Sequence, residues 1–291
     1  MKADKLRTAI IYIIIILLGL ICLLPLLNII AISFSSSAAV EGNMVGLIPV
    51  GFSTAAYEKI LEDSQFWHSF LISVERVVLA LIINFVLIVL MAYPLSKTNA
   101  QFRGRNIYAN LMIFAMLFNG GMIPTFLVVK SYGLLNTVWA LVLPGAVPIF
   151  NVILVMNFFA AVPKELEEAA FIDGANPLQV LTKIFIPISK PVLATVSLFS
   201  IVGSWNDFYS GLIYMSKATY YPLMTYIQSL QINVEDLIKQ GNRSAVVDSA
   251  ALGNTNLNAA KIVVAVIPLL LIYPLLQRYF VSGIVVGSVK G

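Results

Sequence analysis

Hydrophobic positions along this chain gather into six long blocks, separated by stretches rich in charge, glycine and proline. No charge occurs between Arg7 and Glu41, and TAIIYIIIILLGLICLLPLLNIIAISF fills most of that gap. A hydrocarbon core about 30 Å thick takes about 20 apolar residues per spanning helix, so the block predicts a first span. Lys2, Lys5 and Arg7 also resemble the basic leader of a cleaved signal peptide. The apolar core of such a peptide is about 7–15 residues, much shorter than this block, which favours a retained span. A second span is predicted over about Phe70 to Leu95, with the uncharged core VVLALIINFVLIVLMAYPLS. The third, about Ile107 to Val129, is interrupted by Asn119-Gly120-Gly121 and Pro124, and the fourth, about Asn136 to Ala160, contains Pro144 and Pro148. The fifth, about Pro191 to Tyr214, carries Asp207, and the sixth, about Ala259 to Phe280, carries Pro268 and Pro274. Polar loops are expected at Ser35–Trp67 and Ser216–Asn256. The pattern is that of an all-α polytopic membrane protein with six transmembrane helices.

Composition agrees with that pattern. Hydrophobic residues make up 59% of the chain and charged residues 11%, against about 25% charged in soluble domains. Cys22 and His68 are the only residues of their types, so neither a disulfide framework nor a zinc site of the usual kind can be built. The net charge of +4 calls for no nucleic acid; its placement sets topology. With the N-terminus inside the cell, Lys2, Lys5, Arg7, Lys97, Arg103, Arg105, Lys164, Lys183, Lys190, Arg278 and Lys290 share one face, 11 of 18 basic residues. That bias places both termini and the stretch 163–187 in the cytoplasm. Breaks such as Asn119-Gly120-Gly121 are tolerated in a bilayer only beside other helices or a water-filled cavity.

The stretch from Pro163 to Pro187, PKELEEAAFIDGANPLQVLTKIFIP, is too short and too charged to span. Pro163 suits the first position of a helix, and Glu165, Glu167 and Glu168 suit the positive end of its dipole. Gly174 suits the left-handed residue that ends a helix. Asn176, Pro177 and Gln179 then read as cap, first position and capping box of a second helix. Leu178, Leu181, Ile184 and Phe185 would form its apolar stripe. An amphipathic loop lying at the headgroups is the simpler alternative.

Order within this insert is more specific than amphipathicity. Glu168-Ala169-Ala170, three residues, Gly174, nine residues, then Ile184-Phe185-Ile186-Pro187 resembles the EAA loop of bacterial ABC importer permeases, with Ile186 where that pattern usually has Leu. Trp205-Asn206-Asp207-Phe208 and the tail Gln277 to Gly291 resemble the carbohydrate-uptake subgroup, and the likeness to the second permease of maltose-type importers covers nearly the whole chain. Within that subgroup the chain looks most similar to permeases for oligosaccharides and polysaccharide fragments, including pectin- or alginate-derived sugars. The resemblance implies a type I importer permease fold in the bacterial inner membrane, divided as 1–66 (first helix and outer loop), 67–280 (core) and 281–291 (cytoplasmic tail). It also implies two copies of an ABC ATPase, a second homologous permease and an extracytoplasmic solute-binding protein as partners. ATP and magnesium would be used by the ATPase, with no cofactor or metal bound by this chain. Glu168, Ala169, Ala170, Asp173, Gly174, Ile184 and Pro187 would then belong to the coupling helices that sit in a groove of the ATPase.

Candidate passage residues follow from chemistry. An acid within a span is expensive, which singles out Asp207. Trp205, Asn206, Asp207 and Tyr209 suit a sugar passage, because an aromatic face packs on a ring's C–H side while amide and carboxylate bind hydroxyls. Equally, Asn206 and Asp207 can bond neighbouring helices and Trp205 can anchor at headgroup level; Asn119 and Asn151 carry the same two readings. No phosphate-binding loop or hydrolase motif occurs, so an enzyme is not expected and any ATPase lies on another chain. The rival function, an ion-coupled secondary carrier of small polar solutes, needs several buried ionisable relays, and only Glu75, Arg76 and Asp207 lie near the membrane.

Overall fold

The computed structural model describes residues 2–118, 120–230 and 255–287, and all regular secondary structure among them is helical. In chain order the helices are α1 Lys2–Ser33, α2 Ser37–Glu41, α3 Ala55–Glu62, α4 Ser64–Leu95, α5 Arg105–Leu117, α6 Met122–Ser131, α7 Val138–Val142 and α8 Ile149–Ala160. They continue as α9 Lys164–Ile172, α10 Pro177–Val180, α11 Ile186–Ile188, α12 Lys190–Asn206, α13 Tyr209–Tyr214 and α14 Thr255–Gly287. Contacts divide the chain into two compact units, Met1–Trp67 with Tyr226–Pro268, and His68–Thr225 with Leu269–Gly291. Stretches within α1, α4 and α14 are each long and apolar enough to cross a membrane. Counting three bent pairs (α5 with α6, α7 with α8, and Pro177–Ile188 with α12) as one span each gives six.

In the first unit, α1 exposes apolar side chains from Ile10 to Leu27, a surface that suits lipid or a partner helix. The predicted outer loop after it is folded rather than irregular. Ser36 caps α2, the Ser36 amide donates to the Val50 carbonyl at 3.1 Å, and the Ser53 amide donates to the Phe34 carbonyl at 2.9 Å. Phe34 stacks on Tyr57 at 4.7 Å. Asp63 accepts from the Phe66 amide at 3.0 Å at the start of α4, pairs with Lys261 of α14 at 2.7 Å, and accepts from the Tyr226 hydroxyl at 2.9 Å. Burial pushes the Asp63 carboxyl up, but Lys261, the Phe66 amide and Tyr226 outweigh it and hold the group below its usual range.

In the second unit, Ile88 and Ala92 of α4, Val152, Val155 and Phe159 of α8, Phe185, and Val196 of α12 form a core. Their spacing within each helix is the three- and four-residue repeat of a buried helical face. Glycine places one of the breaks expected from sequence: Gly121, at φ +88, directly precedes α6. Pro148 stands at the 47° bend between α7 and α8. The fifth apolar block is not one helix to Tyr214. α12 stops at Asn206 because the Asp207 carboxylate accepts the Ser210 amide at 3.1 Å, a local bond that competes with the helical ladder and starts α13 afresh.

Candidate functional site

The 163–187 insert folds as two helices around a sharp turn. Pro163 sits at the cap position, one residue before the helical start expected of it. At the end of α9 the Gly174 amide donates to Phe171 at 3.1 Å and the Ala175 amide to Ala170 at 2.9 Å. Gly174 itself takes φ +79, the left-handed closure its sequence position predicts. Asn176 and Gln179 exchange side-chain and backbone hydrogen bonds, each 2.9 Å, so the capping box is complete. Beyond α10 the chain widens into a π-helical turn over Leu181–Phe185, then turns 84° into α12 near Ser189.

That turn sorts the insert into an inner and an outer face. Leu181 and Phe185 are buried, and Ala170, Ala175 and Ile184 pack on the core. Leu178 does not join this stripe: it is 62% exposed, whereas Val180, on the other side of α10, is fully buried in the core. Glu168, Ala169, Asp173 and Gly174 lie exposed beside Phe171 and Ile172, the latter 87% exposed, and Pro187 is also exposed. An apolar, acid-rimmed surface of this kind suits contact with another protein or with a membrane surface.

Glu167 behaves unlike its neighbours. It is buried, pairs with Lys97 at 2.7 Å and accepts from the Tyr93 hydroxyl at 3.3 Å. The Lys97 ammonium lies 4.1 Å from the Tyr93 ring centroid and 4.2 Å from that of Phe185. Burial pushes the Lys97 amine down from its usual range, and Glu167 partly restores it. By sequence Glu167 has only a helix-dipole role, as an acid in the first turn of α9. Its position one turn into an otherwise solvated acidic run held no signal of a partner 70 residues earlier.

A cavity of about 200 Å³ lies in the membrane-spanning part of the second unit, with Arg76, Asn84, Ser204, Asp207, Ser210 and Tyr214 among its lining. Arg76 is 4% exposed, donates from one terminal nitrogen to the Asp207 carbonyl at 2.9 Å, and pairs with the Asp207 carboxylate through the other. Its Nε is buried without a hydrogen-bond partner. The Asn84 amide satisfies both its ends when its oxygen accepts from Ser200 at 3.2 Å and its nitrogen donates to Ala146 and Ala80 at 3.0 and 3.2 Å. Of the passage candidates among the described residues, only Asp207 lines this cavity. Trp205 is buried edge-on against Phe70 at 5.6 Å, whereas Asn206 is exposed. Tyr209 is exposed with its hydroxyl 2.9 Å from the Met122 sulfur, Asn151 is buried on α8, and Asn119 lies outside the described residues. The serines and Tyr214 were missed because hydroxyls within apolar runs look like ordinary helix packing.

The profile of the family described as "Binding-protein-dependent transport system inner membrane component" matches residues 76–286. Protein LplC of Bacillus subtilis (strain 168) is 41% identical over 94% of this chain and 91% of its own. The polygalacturonan/rhamnogalacturonan transport system permease protein YtcP of Bacillus subtilis (strain 168) is 40% identical over 99% of both chains. Among solved structures, a chain of a bacterial ABC transporter involved in the import of the acidic polysaccharide alginate superposes with a TM-score of 0.83 at 32% identity, covering 96% of this chain and 98% of that one. The matched profile contains the whole insert and the whole cavity lining, and the chain belongs to the family of binding-protein-dependent transport system inner membrane components.

Proposed function

We propose that this chain is the permease subunit of an ATP-driven importer that moves an oligosaccharide across the bacterial inner membrane. The exposed face of the 163–187 insert carries the reading: a charged, apolar-centred docking surface on a chain with no phosphate-binding loop of its own. Glu168, Ala169, Asp173 and Gly174, with Phe171, Ile172 and Leu178, meet the ATPase; Ala170 and Ile184 seat the insert on the core, and Pro187 closes it. Two ATPase copies, a second homologous permease and an extracytoplasmic solute-binding protein complete the assembly, with ATP and magnesium held by the ATPase. Both termini and the insert face the cytoplasm, where the basic residues of the short loops are concentrated.

The sugar class is supported by a relative named for polygalacturonan and rhamnogalacturonan transport and by a similar solved chain from a transporter involved in import of the acidic polysaccharide alginate. Hydroxyl groups of Ser204, Ser210 and Tyr214 give the passage wall the hydrogen-bonding character a sugar needs, while the Asp207 carboxylate is held by Arg76. Co-expression with the cognate ATPase and second permease, followed by proteoliposome uptake of galacturonate and neutral oligosaccharides in the presence of the purified solute-binding protein, tests the reading. ATP-dependent uptake of at least one, lost when the ATPase is omitted, is expected; uptake by this chain alone, driven by an ion gradient, would overturn it. Arg76 and Asp207 are spent on each other, which leaves an ion-coupled carrier short of the relays it needs.

A further inference from the structure

We propose that the Lys97–Glu167 pair is the positioning contact that passes movement of the insert to α4, and along α4 to the Arg76–Asp207 end of the cavity. The inference rests on the docking role given to the insert above. Three placements support it. Among the acids that open α9, Glu165 and Glu168 are solvated and need only the helix dipole, whereas Glu167 is buried. A buried carboxylate is tolerated only with a partner, and Lys97 supplies one from just beyond the end of α4.

The ammonium is also walled by two rings, Tyr93 from the last turn of α4 and Phe185 from the π-helical turn, which themselves meet edge-on at 5.1 Å. One charge therefore grips both arms of the insert, α9 through Glu167 and the second arm through Phe185. An exposed ion pair would yield under tension, being worth little against solvent. Here water is displaced by aromatic faces, and the separation and direction of the contact are set.

α4 runs without a break from Tyr93 to Arg76, about 25 Å at 1.5 Å per residue. At its far end Arg76 holds both the carbonyl and the carboxylate of Asp207, at the junction of α12 and α13. A displacement of the insert is thus delivered as a shift of a stiff rod beneath the cavity lining.

The test uses the complete importer in proteoliposomes, in a Cys22→Ser background with Ser204→Cys as reporter on the cavity. N-ethylmaleimide labelling of that cysteine is timed with and without ATP and vanadate. In the parent complex the rate changes by about fivefold or more, the lower range of coupling between linked sites. Glu167→Gln and Lys97→Met each abolish the change while the ATPase remains bound at parental stoichiometry. The exchange Lys97→Glu with Glu167→Lys restores it. An unchanged response in both single variants, no response in the parent, or loss of ATPase binding in the single variants would each overturn the proposal. Gly174→Asp separates the two readings. If it silences the reporter while the pair variants do not, docking stands and the strut fails; if the pair variants silence it and Gly174→Asp does not, docking at that turn fails and the strut fails with it.

Discussion

Gly174 sits at φ +79 on an exposed turn, and an added Cβ would meet nothing within 4 Å. Only backbone strain then opposes alanine, about 1–2 kcal/mol for a side chain in the left-handed region. Gly174→Ala is expected to keep transport with a small loss of stability. Gly174→Asp adds a second acid next to Asp173 on the docking face and is expected to remove substrate-stimulated ATPase activity; equal loss in both variants would assign the defect to strain. Asp207 behaves differently, because Arg76 is buried beneath it. Asp207→Ala leaves that guanidinium without its carboxylate and is expected to cost about 3–5 kcal/mol, as breaking buried ion pairs does. Adding Arg76→Met should recover most of that loss in thermal unfolding of the purified complex. Trp205→Ala empties a site packed on Phe70 and should lower assembly itself, with Trp205→Phe tolerated.

Among elements, the insert was legible because its signals are local. A left-handed glycine, a capping box and an acidic first turn act within a few residues and need no distant partner. Its buried stripe was only partly legible: Val180 and not Leu178 faces the core, and no residue pattern announced the π-helical turn that follows. The loop 35–67 was legible as polar but not as structured, since its hydrogen bonds join Ser36 to Val50 and Phe34 to Ser53 across the loop. Asp63 ties that region to α14 through Lys261. Its folded value lies below its unfolded one, so its contribution is present above the ordinary aspartate range, about 3.9, and is lost as pH falls through the lowered folded value. Thermal unfolding of the purified protein should show this loss on acidification, and Asp63→Asn should lower stability at neutral pH and flatten that part of the profile.

For the whole molecule, a topology with the short basic loops inside puts the exposed face of the insert in the cytoplasm. Ile172→Cys, in a Cys22→Ser background, should react with a membrane-impermeant maleimide in inverted vesicles but not in right-side-out cells. Bound ATPase should slow that reaction, and labelling from outside would reverse the orientation drawn from the basic loops. Six apolar blocks, the insert between them, its turn and its caps were determined by sequence alone, because hydrocarbon thickness and backbone capping act on contiguous residues. Tertiary structure decided which charges are buried and with whom. Arg76 finds Asp207 131 residues away and Lys97 finds Glu167 70 residues away. It also placed Trp205 in the core while Ser204, Ser210 and Tyr214 line the cavity beside Asp207. Burial of a polar group depends on neighbours that folding alone brings together, and no spacing along the chain encodes them.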